Sequence, residues 1–286
     1  DGLHVGHREI VRRVCARAAE IDGTAMLMTF NPHPLTLVRQ DRYVHVITPP
    51  DVKKRLIGET GIDVLWIVPF TEEFRALKAE TFVEDILLSR IGIEGLIIGF
   101  DFRFGSGGEG NVDMLRRYSA ERGFYFESVD PVTVEGEKAG SNRIRRMIAE
   151  GNVAKAKIFL GRPYMIEGTV VRGHGRGKGL GFPTVNLDTS FELIPERGVY
   201  IREAETGGGC FPAVTNIGYN PTFGDGRLSI ETHLLDYSGD LYDSRLALSF
   251  HERLRGEIRF SCVDALAEQI RYDADRARDY FRKNAA

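Results

Sequence analysis

The chain has 286 residues, about twice the length of a typical domain, so two domains are the first expectation. Hydrophobic residues make up 42% and charged residues 28%, a globular composition that excludes disorder as the main state. Net charge is −3, with 22 basic against 23 acidic side chains in residues 1–160 and 16 against 18 in the rest, so neither half carries the basic excess of a general nucleic-acid binder.

In chain order, the opening stretch repeats apolar residues at Ile10, Val11, Val14, Ala18 and Ile21, a helical stripe suited to packing on a sheet. Such a helix follows a strand, and because the chain opens Asp-Gly rather than Met, that strand is expected before residue 1, in a segment absent from this sequence. Strands are predicted at 24–30, 63–70, 94–100 and 124–129 with helical stretches between them, the alternation of a parallel α/β sheet. Short helices are predicted from Ser141 to Glu150 and over 152–160, and the domain boundary at 160 to 163, dividing the chain into 1–160 and 161–286. Beyond it, short β-rich runs between Gly, Pro and Asp turns indicate an antiparallel barrel or sandwich, closed by an amphipathic helix from Val263 to Phe281. Cys15, Cys210 and Cys262 are too far apart in sequence for a CxxC site and suit a reducing cytoplasm. There is no run of 18 apolar residues and no signal-like leader, so no membrane partner is expected.

Candidate chemistry in the first half centres on His4-Val5-Gly6-His7 at a helix start. Residues three apart share a helix face, so both imidazoles can meet one anion beside the free N–H groups of the first turn. Two surface histidines are the alternative. Asn31 and Asp101 each lie just past a predicted strand, where ligands of open α/β sheets bind. Ser141 to Arg145 opens a helix with a hydroxyl and a guanidinium suited to phosphates. Gly105, Gly107 and Gly110 match GxGxxG, but Asp101 to Phe104 intervene after the strand, and the stretch is expected to be a mobile loop over the substrate instead.

In the second half, Gly173, Gly175, Arg176, Gly177 and Lys178 lie in a glycine-rich basic loop that is not a Walker A motif but can wrap phosphates with backbone N–H groups. Thr184 and Asn186 point to one face of a strand and offer oxygens for a hydrated Mg²⁺. Glu231 alternates with Ile230 and Thr232 in an apolar strand, which makes it a general-base candidate.

DGLHVGH, FNPHP, GFDFRFG and SNRIR, followed by GHGRGKGLGFPTVNL, NIGYNPTF and Glu231, resemble in order the motifs of the bacterial bifunctional riboflavin kinase/FAD synthetase family, over essentially the whole chain. The resemblance implies a Rossmann-like nucleotidyltransferase domain ahead of a six-stranded riboflavin kinase barrel with a terminal helix. It also implies two reactions, phosphorylation of riboflavin by Mg-ATP and transfer of AMP from ATP to FMN, giving FAD and pyrophosphate. Carried over by position, His4, His7, Asn31, Asp101, Ser141 and Arg145 would contact the nucleotide, Thr184 and Asn186 the metal, and Arg255 the flavin. Glu231 would activate the ribityl hydroxyl. The chain departs from the family at Gly140, Ser141 and Asn142, where Ser-Ser-Thr is usual, and at Gly179, where a hydroxylated residue is common. Its partners would be riboflavin, FMN and ATP, in a monomer or weak homo-oligomer. A kinase with an impaired first domain and a flavin carrier without turnover are the rival readings.

Overall fold

The computed structural model describes residues 1–38, 44–172, 179, 181–219 and 228–284. Contacts divide the chain into two compact units, Asp1–Ser141 and Asn142–Ala286.

In the first unit, helix α1 (Val5–Glu20) precedes β1 (Met26–Asn31), and α2 (Pro50–Gly58) connects β1 to its parallel neighbour β2 (Val64–Pro69). Pro50 at the first turn and Asp51 beside it start α2 as helix chemistry favours. Helix α3 (Phe82–Ile91), wound with π-type hydrogen bonds, ends at Gly92 in the left-handed region and leads into β3 (Gly95–Gly99). Asn111 caps α4 (Val112–Arg122), its Oδ1 accepting from the Met114 N–H at 3.0 Å, and β4 (Tyr125–Val129) then pairs in parallel with β3. Phe82, Val83, Leu87, Ile98, Phe104 and Leu115 form the core under this half.

The four strands expected from the sequence are present, but as two parallel pairs rather than one continuous ladder. Strands β1 and β3 each hydrogen-bond one neighbour and line a cavity of about 890 Å³, with Ile10, Val11 and Val14 of α1 also in its wall. The 105–110 loop corrects the expectation of a mobile cover, because backbone and side-chain bonds tie it down. Ser106 N–H donates to Leu77 O at 2.7 Å, and Glu109 Oε1 accepts from Ala79 N–H at 2.9 Å. A Cβ on Gly105, whose φ is +75°, would lie 2.7 Å from the Ala79 nitrogen, so this glycine serves close packing and not a pyrophosphate.

Helix α5 (Ser141–Ala149) joins the first unit to the second, and α6 (Val153–Leu160) packs on barrel strands β5 (Tyr164–Val171) and β10 (Arg245–Arg255). That packing explains why the contact boundary falls at 141/142 while the change in sequence texture falls near 160. The other strands are β6 (Val185–Asp188), β7 (Gly198–Thr206), β8 (Gly209–Tyr219) and β9 (Leu228–Leu234). Together they close an antiparallel barrel in the order β8-β9-β6-β5-β10-β7. Tyr164, Ile166, Tyr200, Leu248 and Phe250 are buried, and a Thr215–Thr232 hydroxyl bond of 2.9 Å satisfies two buried polar groups. Arg202 is fully buried with its guanidinium carbon 3.2 Å from the Phe250 ring centroid, and burial pulls its pKa well below the usual arginine range. A Cβ on Gly168 would sit 2.0 Å from Asp188 O, so the approach of β5 to the end of β6 requires glycine. Helix α7 (Val263–Asn284) covers Val199, Ile201, Val214 and Leu235 with Ala274 and Ala277. His251 of β10 packs against Tyr280 and Phe281 of that helix, and burial pushes its pKa down to about 4.

Candidate functional site

The first candidate site starts at the turn Asp1 to Leu3. The Asp1 carboxylate accepts from Ile47 N–H at 2.9 Å and Thr48 N–H at 3.2 Å, while Gly2 N–H donates to Thr48 Oγ1 at 2.8 Å. Ser141 Oγ donates to Asp1 O at 2.9 Å, so the start of α5 also fixes this turn. Gly2, at φ +83°, passes 3.1 Å from the Ile47 side chain if given a Cβ, and the chain then enters α1 at His4.

His4 is the N-cap of α1, with extended backbone and Nδ1 accepting from Gly6 N–H at 3.1 Å. A ring nitrogen that accepts is unprotonated, which places the proton of a neutral His4 ring on Nε2. A Cβ at Gly6 would lie 3.1 Å from His4 Cε1 and 3.2 Å from Nδ1. The glycine of this tetrapeptide therefore makes room for the capping ring, a role the spacing alone did not reveal. One helical turn on, the His7 ring stacks on His4 with centroids 3.8 Å apart. His7 Nδ1 is buried without a hydrogen-bond partner, and burial holds the pKa well below the usual histidine value, so the ring is neutral near pH 7.

His7 and Asp101 line the same cavity. Asn31 is exposed at the end of β1, where its carbonyl accepts from Phe70 N–H at 3.0 Å, and it is not in the cavity wall. Lys53 of α2, which the sequence gave no reason to single out, does line it. Its ammonium donates to Thr29 Oγ1 at 3.3 Å and Phe30 O at 3.1 Å, and burial lowers its pKa. In the second unit, Arg145 Nη1 donates to Asn142 Oδ1 at 2.7 Å, so the amide that replaces a hydroxyl of the usual pattern orients the guanidinium.

The second candidate site is a product of strand register. Asn186 of β6 pairs with Glu231 of β9, which pairs with Asn216 of β8. Directly opposed residues share a sheet face, so the carboxylate lies between two amides. Ile230, Thr232 and Leu234 are buried on the opposite face, while Glu231 and His233 remain half-buried, as the alternation predicts. Ser229 Oγ lies 3.2 Å from Glu231 Oε1 and 3.3 Å from Asn186 Oδ1. His233 Nδ1 meets Pro183 O at 2.8 Å and its ring stands edge-on to Phe182, which ties β9 to the segment carrying Thr184. Thr184 and Asn186 are half-buried two residues apart. Gly173, Gly175, Arg176, Gly177 and Lys178 lie outside the described residues, as does the 220–227 segment.

Arg255 ends β10 with its guanidinium on Asp273 of α7, Nη2 and Nε reaching Oδ2 at 2.8 and 3.0 Å. Gln269 Nε2 donates to the other carboxylate oxygen at 2.9 Å, and Asp273 is only 3% exposed. Sequence reading missed Asp273. Its signal was an acidic residue next to Ala274 on the apolar stripe of an otherwise polar-faced helix.

Comparison with known proteins covers both units. A family model described as FAD synthetase matches residues 1–143, and one described as riboflavin kinase matches 160–281. A Listeria monocytogenes bifunctional riboflavin kinase/FMN adenylyltransferase is 34% identical, with 99% of this chain and 90% of the relative aligned. The chain belongs to the bifunctional riboflavin kinase/FMN adenylyltransferase family. The Escherichia coli K12 member is 35% identical, aligned over 98% of this chain and 90% of its own. A solved Streptococcus pneumoniae structure described as a macrolide-efflux protein superposes with a TM-score of 0.88 at 29% identity, covering 97% of this chain and 91% of that one. Efflux belongs to that protein's description, and among the described residues here no helix is long and apolar enough to cross a membrane. Both reaction types of the family thus map onto the two units, adenylyl transfer to the α/β unit and riboflavin phosphorylation to the barrel.

Proposed function

We propose that the barrel phosphorylates riboflavin with ATP and that the α/β unit joins the resulting FMN to AMP, releasing pyrophosphate and leaving FAD. Family membership supports both steps. The observation that carries the assignment of residues is the row Asn186, Glu231, Asn216, a carboxylate held between amides on one barrel face.

In the kinase step Glu231 takes the proton of the ribityl 5′-hydroxyl, whose oxygen attacks the γ-phosphorus of ATP as the bond to the β,γ-bridging oxygen breaks and ADP leaves. The oxygen donors at Thr184 and Asn186 suit a hard divalent cation that keeps its waters and phosphate ligands, and these residues would hold Mg²⁺. Bound there, the ion neutralises phosphate charge. Gly173, Gly175, Arg176, Gly177 and Lys178 supply backbone and cationic donors to the phosphates in this reading. Arg255, braced by Asp273, faces the flavin or its phosphate. In the adenylyl step an FMN phosphate oxygen attacks the α-phosphorus of ATP directly. His4 donates through Nε2–H, fixed by the cap at Gly6, and His7 adds a second imidazole donor as charge develops. Asn31, Asp101, Ser141 and Arg145 bind the nucleotide in the same reading.

Catalytic domains of 1–160 and 161–286 fit this division of labour, α5 and α6 serving as the connection. Free, scattered thiols suit a reducing compartment, so the enzyme is read as cytoplasmic, a monomer or weak homo-oligomer, with neither nucleic acid nor membrane as partner. Incubation with riboflavin, ATP and Mg²⁺ followed by mass spectrometry tests the whole reading. FMN and then FAD with pyrophosphate are expected. Unmodified riboflavin overturns the kinase assignment, and FMN that never becomes FAD overturns the adenylyl assignment.

A further inference from the structure

We infer that Ser229 is a positioning residue for riboflavin phosphorylation, holding the Glu231 carboxylate in the orientation in which it receives the substrate proton. The inference rests on the reading of Glu231 as the base.

Ser229 and Glu231 lie two apart on β9 and so share a face, the serine one pleat nearer the strand start. Its Oγ is 3.2 Å from Glu231 Oε1 and 3.3 Å from Asn186 Oδ1. A hydroxyl has one proton, so these two acceptors compete for it. A carboxylate is the stronger acceptor, so the O–H turns to Glu231. Donation to Oε1 fixes the terminal torsion of the glutamate, which is otherwise broad, and leaves Oε2 for the ribityl hydroxyl. Neighbouring groups add to this arrangement without replacing it. Asn216 flanks the carboxylate from β8, and His233, the next residue on the same face, is committed to Pro183 O at 2.8 Å. Among the described residues, Ser229 is the side chain that hydrogen-bonds the Glu231 carboxylate. Fixing the proton acceptor in one orientation is what a reaction governed by positioning requires.

The test uses the full chain with Ser229→Ala and Ser229→Thr, measuring riboflavin phosphorylation at saturating Mg-ATP. Ser229→Ala is expected to lower kcat about tenfold with KM for riboflavin and for ATP within about twofold, because a transition-state arrangement is lost and not a binding contact. Ser229→Thr keeps the O–H and is expected to restore kcat to within about threefold of the parent. Riboflavin affinity, read by quenching of flavin fluorescence, stays unchanged in both. On a Glu231→Gln background Ser229→Ala adds no further loss, since the residue it orients is gone. Parent-like kcat in Ser229→Ala overturns the inference, as does a rise in KM alone or an equal loss in Ser229→Thr. If Ser229→Ala lowers the melting temperature so far that it does not fold, Ser229→Cys, nearly isosteric with a weaker donor, is read by the same criteria. A Glu231→Gln variant with full kcat refutes the base itself. Loss in Glu231→Gln beside an unaffected Ser229→Ala refutes only the positioning role.

Discussion

His4 and His7 meet because one helical turn separates them, whereas Asn186, Glu231 and Asn216 meet because three strands pair in one register. In the α/β unit identity and position are written together in four consecutive residues. In the barrel the residues are far apart in the chain, and their adjacency exists only once β6, β8 and β9 have closed. A local motif therefore reports its own geometry, while a register-built site reports the whole fold around it.

Separating the two activities gives the largest expected effects. Glu231→Gln should lower FMN formation by roughly two to four orders of magnitude and leave conversion of supplied FMN to FAD intact. His7→Ala should do the reverse, costing adenylyl transfer about a hundredfold or more. Assaying each variant for both products checks the split. If either substitution damages both reactions equally, the assignment of one chemistry to each unit fails.

A smaller effect sharpens the local half of the comparison. Gly6→Ala places a methyl 3.1 Å from His4 Cε1 at a position where alanine is the better helix former. FAD formation is expected to fall about tenfold with the melting temperature unchanged, because the cap ring moves while α1 persists. Unimpaired FAD formation would show that the His4 cap is dispensable.

The smallest effect concerns the barrel face under α7. His251 has its pKa lowered from 6.5 to about 4 by burial, so the unfolded chain binds more protons between those values. Its contribution to stability is therefore present above pH 6.5 and is lost as pH falls toward 4. Wild-type protein should lose a few degrees more in melting temperature across that window than His251→Gln, measured by calorimetry. Equal slopes would show that the imidazole is not kept neutral by its packing.

Much of this was legible in advance because period and turn chemistry are local. The alternation of Leu228 to Leu234 gave both the barrel-facing Ile230 and Thr232 and the outward Glu231. The strands at 26–31 and 64–69 were marked by apolar runs between turns. What escaped was set by partners distant in sequence. Nothing near Arg255 announces Asp273, eighteen residues on, and nothing near Lys53 announces Thr29. The 105–110 loop was read as a mobile cover because spacing is silent about Ala79, the neighbour that Gly105 accommodates. Gly6 likewise makes room for the His4 ring, a contact that the spacing of the tetrapeptide does not show.

The pairing of Glu231 with Asn186 has a further consequence. Side chains on a strand switch faces with every residue, so a slip of β9 by a single place would turn the carboxylate into the barrel and bring Ile230 or Thr232 outward. With Glu231 as the proposed base, misassembled molecules would be inert rather than sluggish. Turnover per mole of riboflavin kinase would count correctly closed barrels, which makes the assay a direct gauge of refolding yield.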